Sequence, residues 1–170
     1  MSRIEPVPAP EGTNPLQYSA IAGIMAHRPE ILDAFGRLNR TIRFEGLLPI
    51  ELKESVRRAT APKIGCNFCV ALGELDESFT SERERLAVRF AEKIADDHKA
   101  VTDEDFAQLH AEFTDDEIVE LTAWICLVTV AGQMFGNVMD VRPATPEEAE
   151  AYQNAIHRRV VAVSGAPSVP

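Results

Sequence analysis

Two cysteines three residues apart, Cys66 and Cys69, are the residues of this sequence best suited to chemistry. They follow a helix-breaking segment, Pro62 to Gly65, and precede an apolar run that begins at Val70. Thiols with this spacing at the start of a helix lie close enough to form a disulfide. The N-terminal end of a helix also favours the thiolate, which is the nucleophilic form of cysteine. The spacing therefore predicts a redox-active pair.

Two other interpretations of the pair are buried core thiols and half of a zinc site. A structural zinc site takes four protein ligands, and the sequence has no second C-x-x-C and no close pair of histidines. Its histidines are scattered and flanked by charged residues, so we expect all of them to be exposed: His27, His98, His110 and His157. We predict neither a metal nor a cofactor. The third cysteine, Cys126, lies in an apolar run and is predicted to be an inert core thiol.

Helix signals in the first half of the chain place the cysteine pair between helices. Asn14-Pro15 offers a cap and a first-position proline for a helix through Met25, and Pro29 starts a second helix. Pro49 precedes a third helix from about Ile50 to Ala61, which Pro62 should end. A short helix carrying the cysteines follows.

Capping boxes mark the helices of the second half. Ser81 with Glu84 predicts a helix through about Asp97, and Thr102 caps the next one. Two further boxes begin the last helices: Thr114 with Glu117, opening a long apolar helix to about Met139, and Thr145-Pro146-Glu147-Glu148, opening a terminal helix. No segment shows the alternating pattern of a strand, so the predicted fold class is all-α.

Length and composition indicate one domain, which we place at residues 14–163, between a mobile segment 1–13 and a mobile tail 164–170. The net charge is -10 and no large basic cluster exists, so we expect no nucleic-acid partner. The apolar stretch from about Leu121 to Phe135 is shorter than the roughly 18 residues that a membrane span needs. Without a visible secretory signal near Met1, the predicted location is the cytoplasm.

Glu54 is a candidate general base for the thiols. If the third helix folds back on the cysteine helix, counting residues places Glu54 opposite position 73, one turn beyond Cys69. The alternative is a solvated side chain paired with Arg58 at i,i+4, because the neighbouring Lys53 and Arg57 are charged as well. The residues alone leave both interpretations open.

Gln133 and Asn137 interrupt the apolar helix on one face. They could line a cavity near the thiols, but hydrogen bonds between helices are the simpler interpretation, since buried amides need partners.

From about residue 20 to 140 the sequence resembles the carboxymuconolactone decarboxylase and alkyl hydroperoxidase D-like superfamily. The resemblance rests on His27-Arg28-Pro29 with Phe35, on Leu48-Pro49 to Glu54, on Gly65-Cys66-Asn67-Phe68-Cys69, and on the segment from Thr114 to Leu121. It implies an alkyl hydroperoxidase D-like helical bundle that assembles as a trimer or a larger ring, with the dithiol in a cleft near a subunit interface.

The resemblance also implies roles for three residues. Cys69 matches the thiolate that attacks an organic hydroperoxide, and Cys66 matches the thiol that resolves the sulfenic acid into a disulfide. Glu54 stands twelve residues before the first cysteine, as the peroxidase-like branch requires. A dihydrolipoyl-type protein or another thiol donor would then reduce the disulfide. The decarboxylase branch lacks the cysteine pair, so that activity fits poorly.

One position departs from the family pattern. The peroxidase motif has a histidine four residues after its second cysteine, and this sequence has Gly73 there. The relay from glutamate to thiol is broken, and water, Tyr18 or a distant histidine could replace the missing member. The predicted function is a thiol-dependent antioxidant oxidoreductase that reduces hydroperoxides or exchanges disulfides. The alternative is a non-catalytic oligomeric scaffold or small-ligand binder with the same fold.

Overall fold

Helices are the only regular secondary structure in residues 2–11, 18–79 and 81–164, which the computed structural model describes. The α-helices are α1 (Ala20–Met25), α2 (Pro29–Glu45), α3 (Ile50–Ile64), α4 (Asn67–Ala71), α5 (Glu82–Asp97), α6 (Asp103–His110), α7 (Asp115–Ala123), α8 (Ala131–Val138) and α9 (Pro146–Ser164). A short 3-10 helix, His98–Ala100, follows α5, and a π-helix, Trp124–Val130, joins α7 to α8. The all-α prediction is confirmed.

Local capping signals were reliable where they fall on described residues. Thr102 and Thr114 begin α6 and α7 with capping boxes, and Ser81 accepts the backbone N–H of Glu84 at the start of α5. Thr145 accepts the N–H of Glu148 and donates its own to that carboxylate, as predicted for α9. The predicted cap at Asn14-Pro15 lies outside the described residues, and Ser19 caps α1.

The prediction that Pro62 ends α3 is wrong. The helix continues through Pro62 to Ile64 and ends at Gly65, which adopts a left-handed conformation with φ 77°. The backbone N–H groups of Gly65 and Cys66 both bond to the carbonyl of Ala61 at 3.1 Å. These bonds satisfy the carbonyl at the end of the helix and turn the chain into α4.

Helix α3 lies at the centre of the molecule and contacts α2, α4, α5, α8, α9 and the π-helix. The larger core cluster combines Leu52 and Val56 of α3 with Leu86 and Phe90 of α5 and with Trp124 of the π-helix. A smaller cluster surrounds the cysteine pair and contains Ile24, Ala61, Phe68, Leu72 and Val141. The cysteines are thus anchored on the central helix rather than on a surface loop.

A buried ion pair crosses from α3 to α7. The Lys53 ammonium, fully buried, lies 2.7 Å from Oε1 of Glu120 and also donates to the carbonyl of Ile42. Glu120 in turn accepts the N–H groups of Leu47 and Leu48, which precede α3. The expectation that Lys53 is solvated is therefore wrong, because the sequence pattern did not show its partner, which lies 67 positions further along the chain.

The long apolar segment is a core helix with a register change. The continuous helical stretch Asp115–Val138 is long and apolar enough to cross a membrane by length and composition. However, Leu121, Trp124 and Ile125 are fully buried against the other helices, which is the pattern of a core helix. The wider π turn shifts the side chains that follow it, and Cys126 is exposed. The prediction that Cys126 is a core thiol is wrong.

Residues 2–11 run along the helical domain without regular structure. Arg3 bonds through its backbone N–H to the carbonyl of Met139 at 2.9 Å, and Val7 bonds in the same way to Gly23. Whether residues 1–13 move in solution stays a prediction, as does the domain boundary. Of the tail predicted to be mobile, residues 165–170 lie outside the described residues.

Candidate active site

Cys66 and Cys69 form a disulfide with their Cα atoms 5.2 Å apart. Cys66 is the N-cap of α4, and its sulfur accepts the backbone N–H of Cys69 at 3.3 Å. Gly136 of α8 lies directly behind Cys66, and a Cβ atom at Gly136 would be only 2.9 Å from that sulfur. The close approach of α8 therefore requires glycine at this position.

Only one of the two cysteines lines a cavity. A cavity of about 680 Å³ lies beside the disulfide, and Cys69 lines it, whereas Cys66 is fully buried and does not. The wall is mainly apolar and is built by α1, α2, α3, α4, the π-helix, α8 and α9; its apolar members include Met25, Phe35, Phe44, Phe68, Leu72 and Ile156. A small organic molecule in this cavity would meet Cys69 and not Cys66.

Glu54 is buried, with 4% of its surface exposed, at the polar end of the same site. Its Oε2 accepts Nε–H of Arg57 at 2.9 Å, and its Oε1 accepts the hydroxyl of Tyr152 at 2.7 Å. Arg43 donates to the Tyr152 oxygen at 2.8 Å and lies 3.5 Å from Oε1 of Glu54. The interpretation of Glu54 as a solvated side chain paired with Arg58 is therefore wrong.

The cluster fixes the charge of its members. Burial by itself would raise the pKa of Glu54, but the Arg57 and Arg43 guanidiniums and the Tyr152 hydroxyl outweigh it and lower that pKa. Burial raises the pKa of Tyr152, which keeps its hydroxyl protonated at neutral pH. The cluster therefore contains two guanidiniums, one carboxylate and one neutral phenol.

Arg57 connects this cluster to the disulfide. Its Nη1 donates to the backbone carbonyl of Cys69 at 3.0 Å, while its Nε donates to Glu54. Glu54 therefore lies near the dithiol, as counting residues predicted, but the contact runs through a guanidinium. The expectation that Arg57 is solvated is wrong, because its own helix neighbour Glu54 and the distant Tyr152 surround it.

Gly73 does not continue the face of the cysteine helix. Helix α4 ends at Ala71, and Gly73 has φ 141°, a conformation that L residues rarely adopt. A Cβ atom at this position would lie 3.3 Å from Gln153 and 3.6 Å from Arg58. The structure thus corrects the predicted geometry, in which position 73 lies on the helix opposite Glu54.

Sequence reasoning missed Tyr152 and Arg43, which complete the site. Tyr152 lies on the terminal helix, and 98 positions separate it from Glu54. Its one local signal is that it is an aromatic residue among the small and polar residues of α9. Tyr18, which was considered as a replacement for the histidine, donates instead to the carbonyl of Val7 at 3.0 Å.

The two amides of α8 make the helix-to-helix bonds that we expected. Gln133 donates to the carbonyl of Arg57 at 2.8 Å, and Asn137 donates to that of Ile64 at 2.7 Å. Gln133 also lines the cavity.

The histidines are exposed, as predicted: His27, His98, His110 and His157. Within the described residues, no group of three or more histidine, cysteine or acidic side chains is placed to hold a metal ion.

Comparison with known proteins supports the fold. No family model and no curated protein matches the sequence. The structure is similar to the debrominase Bmp8 in its apo form, with 20% identity, a TM-score of 0.65, and 81% of this chain and 82% of that chain covered. A cysteine-to-alanine variant of Bmp8 in complex with 2,3,4-tribromopyrrole matches with 19% identity, a TM-score of 0.64 and the same coverage of 81% and 82%.

A third similar structure is an uncharacterized peroxidase-related protein from Silicibacter sp. TM1040. It is 13% identical, with a TM-score of 0.63 and coverage of 76% of this chain and 78% of that one. Together these likenesses show that the chain shares its all-α helical fold with these proteins.

Proposed function

We propose that this protein is a thiol-dependent oxidoreductase that reduces organic hydroperoxides, with Cys69 as the nucleophile and Cys66 as the resolving thiol. The observation that carries the proposal is a disulfide of which one member, Cys69, lines an apolar cavity of about 680 Å³. A cysteine that meets both an organic molecule and a resolving partner can complete a redox cycle.

The proposed cycle has three steps. The Cys69 thiolate attacks the outer oxygen of the hydroperoxide, the O–O bond breaks, and the products are a Cys69 sulfenic acid and an alkoxide, which takes up a proton. The Cys66 thiol then attacks the sulfenic sulfur, which releases water and forms the disulfide. An external dithiol, such as a dihydrolipoyl group, reduces the disulfide and is itself oxidised.

Arg57 is placed to favour the reactive thiolate. Its guanidinium donates to the Cys69 carbonyl at 3.0 Å, and a nearby positive charge lowers the pKa of a thiol. Cys66 has its own stabilising contact, the N–H of Cys69 at 3.3 Å. Access to the cavity favours Cys69 as the nucleophile, because only that cysteine lines it.

Glu54 and Tyr152 provide a path for the proton. The Tyr152 hydroxyl donates to Glu54 at 2.7 Å and its ring lines the cavity. The proton that the Cys69 thiol releases is taken up by the alkoxide, so Glu54 needs to hold it only transiently as the base. Its lowered pKa keeps Glu54 ionised at neutral pH, so the carboxylate is in the form that can accept this proton.

The proposal is tested by peroxide reduction with cumene hydroperoxide, using dihydrolipoamide and glutathione as alternative donors. We expect turnover by the wild type and none by Cys69→Ser. Cys66→Ser should consume about one equivalent of peroxide and stop at a sulfenic acid, which dimedone labels. Cys126→Ser is the matched control and should retain full activity. Retained turnover in Cys69→Ser would disprove the assignment.

Reductive debromination is a second candidate, favoured by the likeness to the debrominase Bmp8. In this reaction the two thiols supply two electrons: a C–Br bond becomes C–H, bromide and a proton leave, and Cys66 and Cys69 form the disulfide. Bromide release from an aryl bromide, measured beside peroxide loss, separates the two reactions. Activity with neither substrate would favour the scaffold or ligand-binding alternative.

The electron donor, assembly as a homo-oligomer and location in the cytoplasm stay predictions.

A further inference from the structure

We infer that the cavity selects organic carboxylates, with the acid group held by Arg43 and Arg57 and the apolar body lying against Phe68 and Cys69. This inference rests on the proposed function, because it names the class of molecule that reaches the thiol. It goes beyond that function in assigning a ligand-binding role to Arg43 and a second role to Arg57, which also favours the Cys69 thiolate.

The first argument is the charge of the buried cluster. Arg43 and Arg57 carry two positive charges, and Glu54 is the one carboxylate bonded to them. Tyr152 contributes a neutral hydroxyl. A buried charge without a counter-charge is costly, so the cluster favours one additional anion. In the disulfide form Cys69 has no thiolate to serve as that anion.

The second argument is a set of buried hydrogen-bonding atoms that lack a partner among the described residues and belong to side chains lining the cavity. Arg57 is 95% buried and two of its nitrogens are bonded, but Nη2 has no partner among the described residues. Nε of Arg43 likewise has no partner among the described residues. Two free guanidinium donors match the two oxygens of a carboxylate.

Two free acceptors lie on the same wall. Oε1 of Gln133 and Oδ1 of Asn39 have no partner among the described residues, and both residues line the cavity. Gln133 is oriented by its bond to the Arg57 carbonyl, so its oxygen and nitrogen are not interchangeable. These acceptors suit an O–H group, such as a hydroperoxide or a hydroxyl on the same molecule.

The other charged residues of the wall do not cancel the arginines. Glu148 is paired with Arg142 at 2.6 Å and caps α9, and Glu147 is exposed on the first turn of that helix. Both belong to the solvent side of the cavity. The buried end is therefore cationic and the body of the cavity is apolar, which is the complement of an amphipathic acid.

The test compares two probes of the same shape, cinnamate and cinnamamide, by titration calorimetry on the oxidised protein at neutral pH. Wild type should bind cinnamate about tenfold or more tightly than cinnamamide. Arg43→Gln and Arg57→Gln should each remove most of this preference, and Arg43→Lys should restore part of it. Arg58→Gln is the matched control, since Arg58 adjoins Arg57 in sequence but does not line the cavity.

Equal affinity of the two probes for wild type would overturn the inference, and so would a preference that survives in the double variant Arg43→Gln/Arg57→Gln. Circular dichroism establishes that each variant is folded. The Cys69→Ser variant separates this inference from the proposed function, because it has neither the disulfide nor the Cys69 thiolate yet keeps both arginines. Cinnamate preference in Cys69→Ser supports the binding role even though this variant turns over no peroxide.

Discussion

Tyr152 is the residue that we propose for the role that the family resemblance assigns to a histidine. It bonds to Glu54 at 2.7 Å, lines the cavity beside Cys69, and reaches the site from the far end of the chain. A phenol whose pKa is raised is a donor rather than a base, so it passes a proton without holding a charge.

Removing this hydroxyl should slow catalysis. We expect Tyr152→Phe to reduce kcat/KM for cumene hydroperoxide by about 10²-fold, because Glu54 loses its connection to the cavity. The disulfide should still form with a strong oxidant. Tyr18→Phe is the control, since the Tyr18 hydroxyl donates to the Val7 carbonyl. Equal rates for Tyr152→Phe and wild type would remove Tyr152 from the mechanism.

Gly73 is required by the backbone rather than by the chemistry. With φ 141°, a side chain is strained whatever space surrounds it. Gly73→Ala should therefore lower the free energy of unfolding by about 1–3 kcal/mol, measured by urea denaturation. Gly36→Ala is the matched control: it lies inside α2 with nothing within 4 Å of a Cβ atom, and it should stabilise by about 0.5–1 kcal/mol.

The same geometry bears on restoring the histidine. Gly73→His should not speed peroxide reduction, because the new side chain would start beside Gln153 and Arg58 rather than beside Glu54. A large gain in rate from Gly73→His would show that this geometry is wrong.

Residue-level prediction succeeded where the signal was local. Cys66 and Cys69 are three residues apart, so their proximity followed from helical spacing alone. Glu54 was placed near them by folding α3 back on the cysteine helix, although position 73, which that count set opposite Glu54, lies beyond the end of α4. Tyr152 and Arg43 were not predictable in this way, because their positions depend on how α9 and α2 pack against α3, which no local pattern encodes.

At the scale of elements, the ion pair between α3 and α7 links two helices through the core. Burial by itself would raise the pKa of Glu120, but bonds from Lys53 and from the N–H groups of Leu47 and Leu48 lower it. The pKa of Glu120 is about 4.5 in the unfolded chain and lower in the folded protein, so the ionised carboxylate stabilises the fold at pH values above 4.5. This stabilisation is lost as the pH falls through the pKa of the folded protein.

The Glu120→Gln variant should show this linkage. At neutral pH it should unfold about 3–5 kcal/mol more easily, because the Lys53 ammonium stays buried without its carboxylate. As the pH falls from about 4.5 through the lowered pKa of folded wild type, the difference from wild type should shrink, since Glu120 becomes protonated first in the unfolded chain and then in the folded protein. Urea denaturation across this range measures both effects. The double variant Lys53→Met/Glu120→Gln should recover much of the loss, and failure to do so would contradict a charge-based cause.

Element boundaries were predictable from caps but not from packing. The boxes at Thr102, Thr114 and Thr145 satisfy backbone groups locally, so the sequence alone located these helix starts. The prediction that Pro62 ends α3 failed because a proline removes only its own N–H bond. Helix α3 continues for two more residues before Gly65 ends it. The error at Cys126 has a different cause: the residue lies in an apolar run, but on the exposed face of the helix, between buried Ile125 and exposed Leu127.

At the scale of the whole molecule, a stripe of apolar side chains is exposed along the continuous helical stretch from α7 through the π-helix to α8. Its members share one helical face. They are Val119 (69% exposed), Leu127 (53%), Met134 (52%) and Val138 (58%). Contiguous exposed apolar surface of this kind marks an interface more often than a free surface. We therefore expect this stripe to be covered by another copy of the chain, in keeping with the predicted homo-oligomer.

Charging this stripe should dissociate the assembly. We expect wild type to be a trimer or a larger ring by light scattering at micromolar concentration, and Leu127→Lys/Met134→Lys to be a monomer, because lysine at a buried interface would lose its hydration. The volume-conserving pair Leu127→Met/Met134→Leu is the matched control and should remain assembled. Cys126 adjoins Leu127, so its alkylation should be faster in the lysine variant than in the control. A wild type that is monomeric, with equal alkylation rates in all three proteins, would show that the stripe is solvent-facing and that the site of each chain is complete without a neighbour.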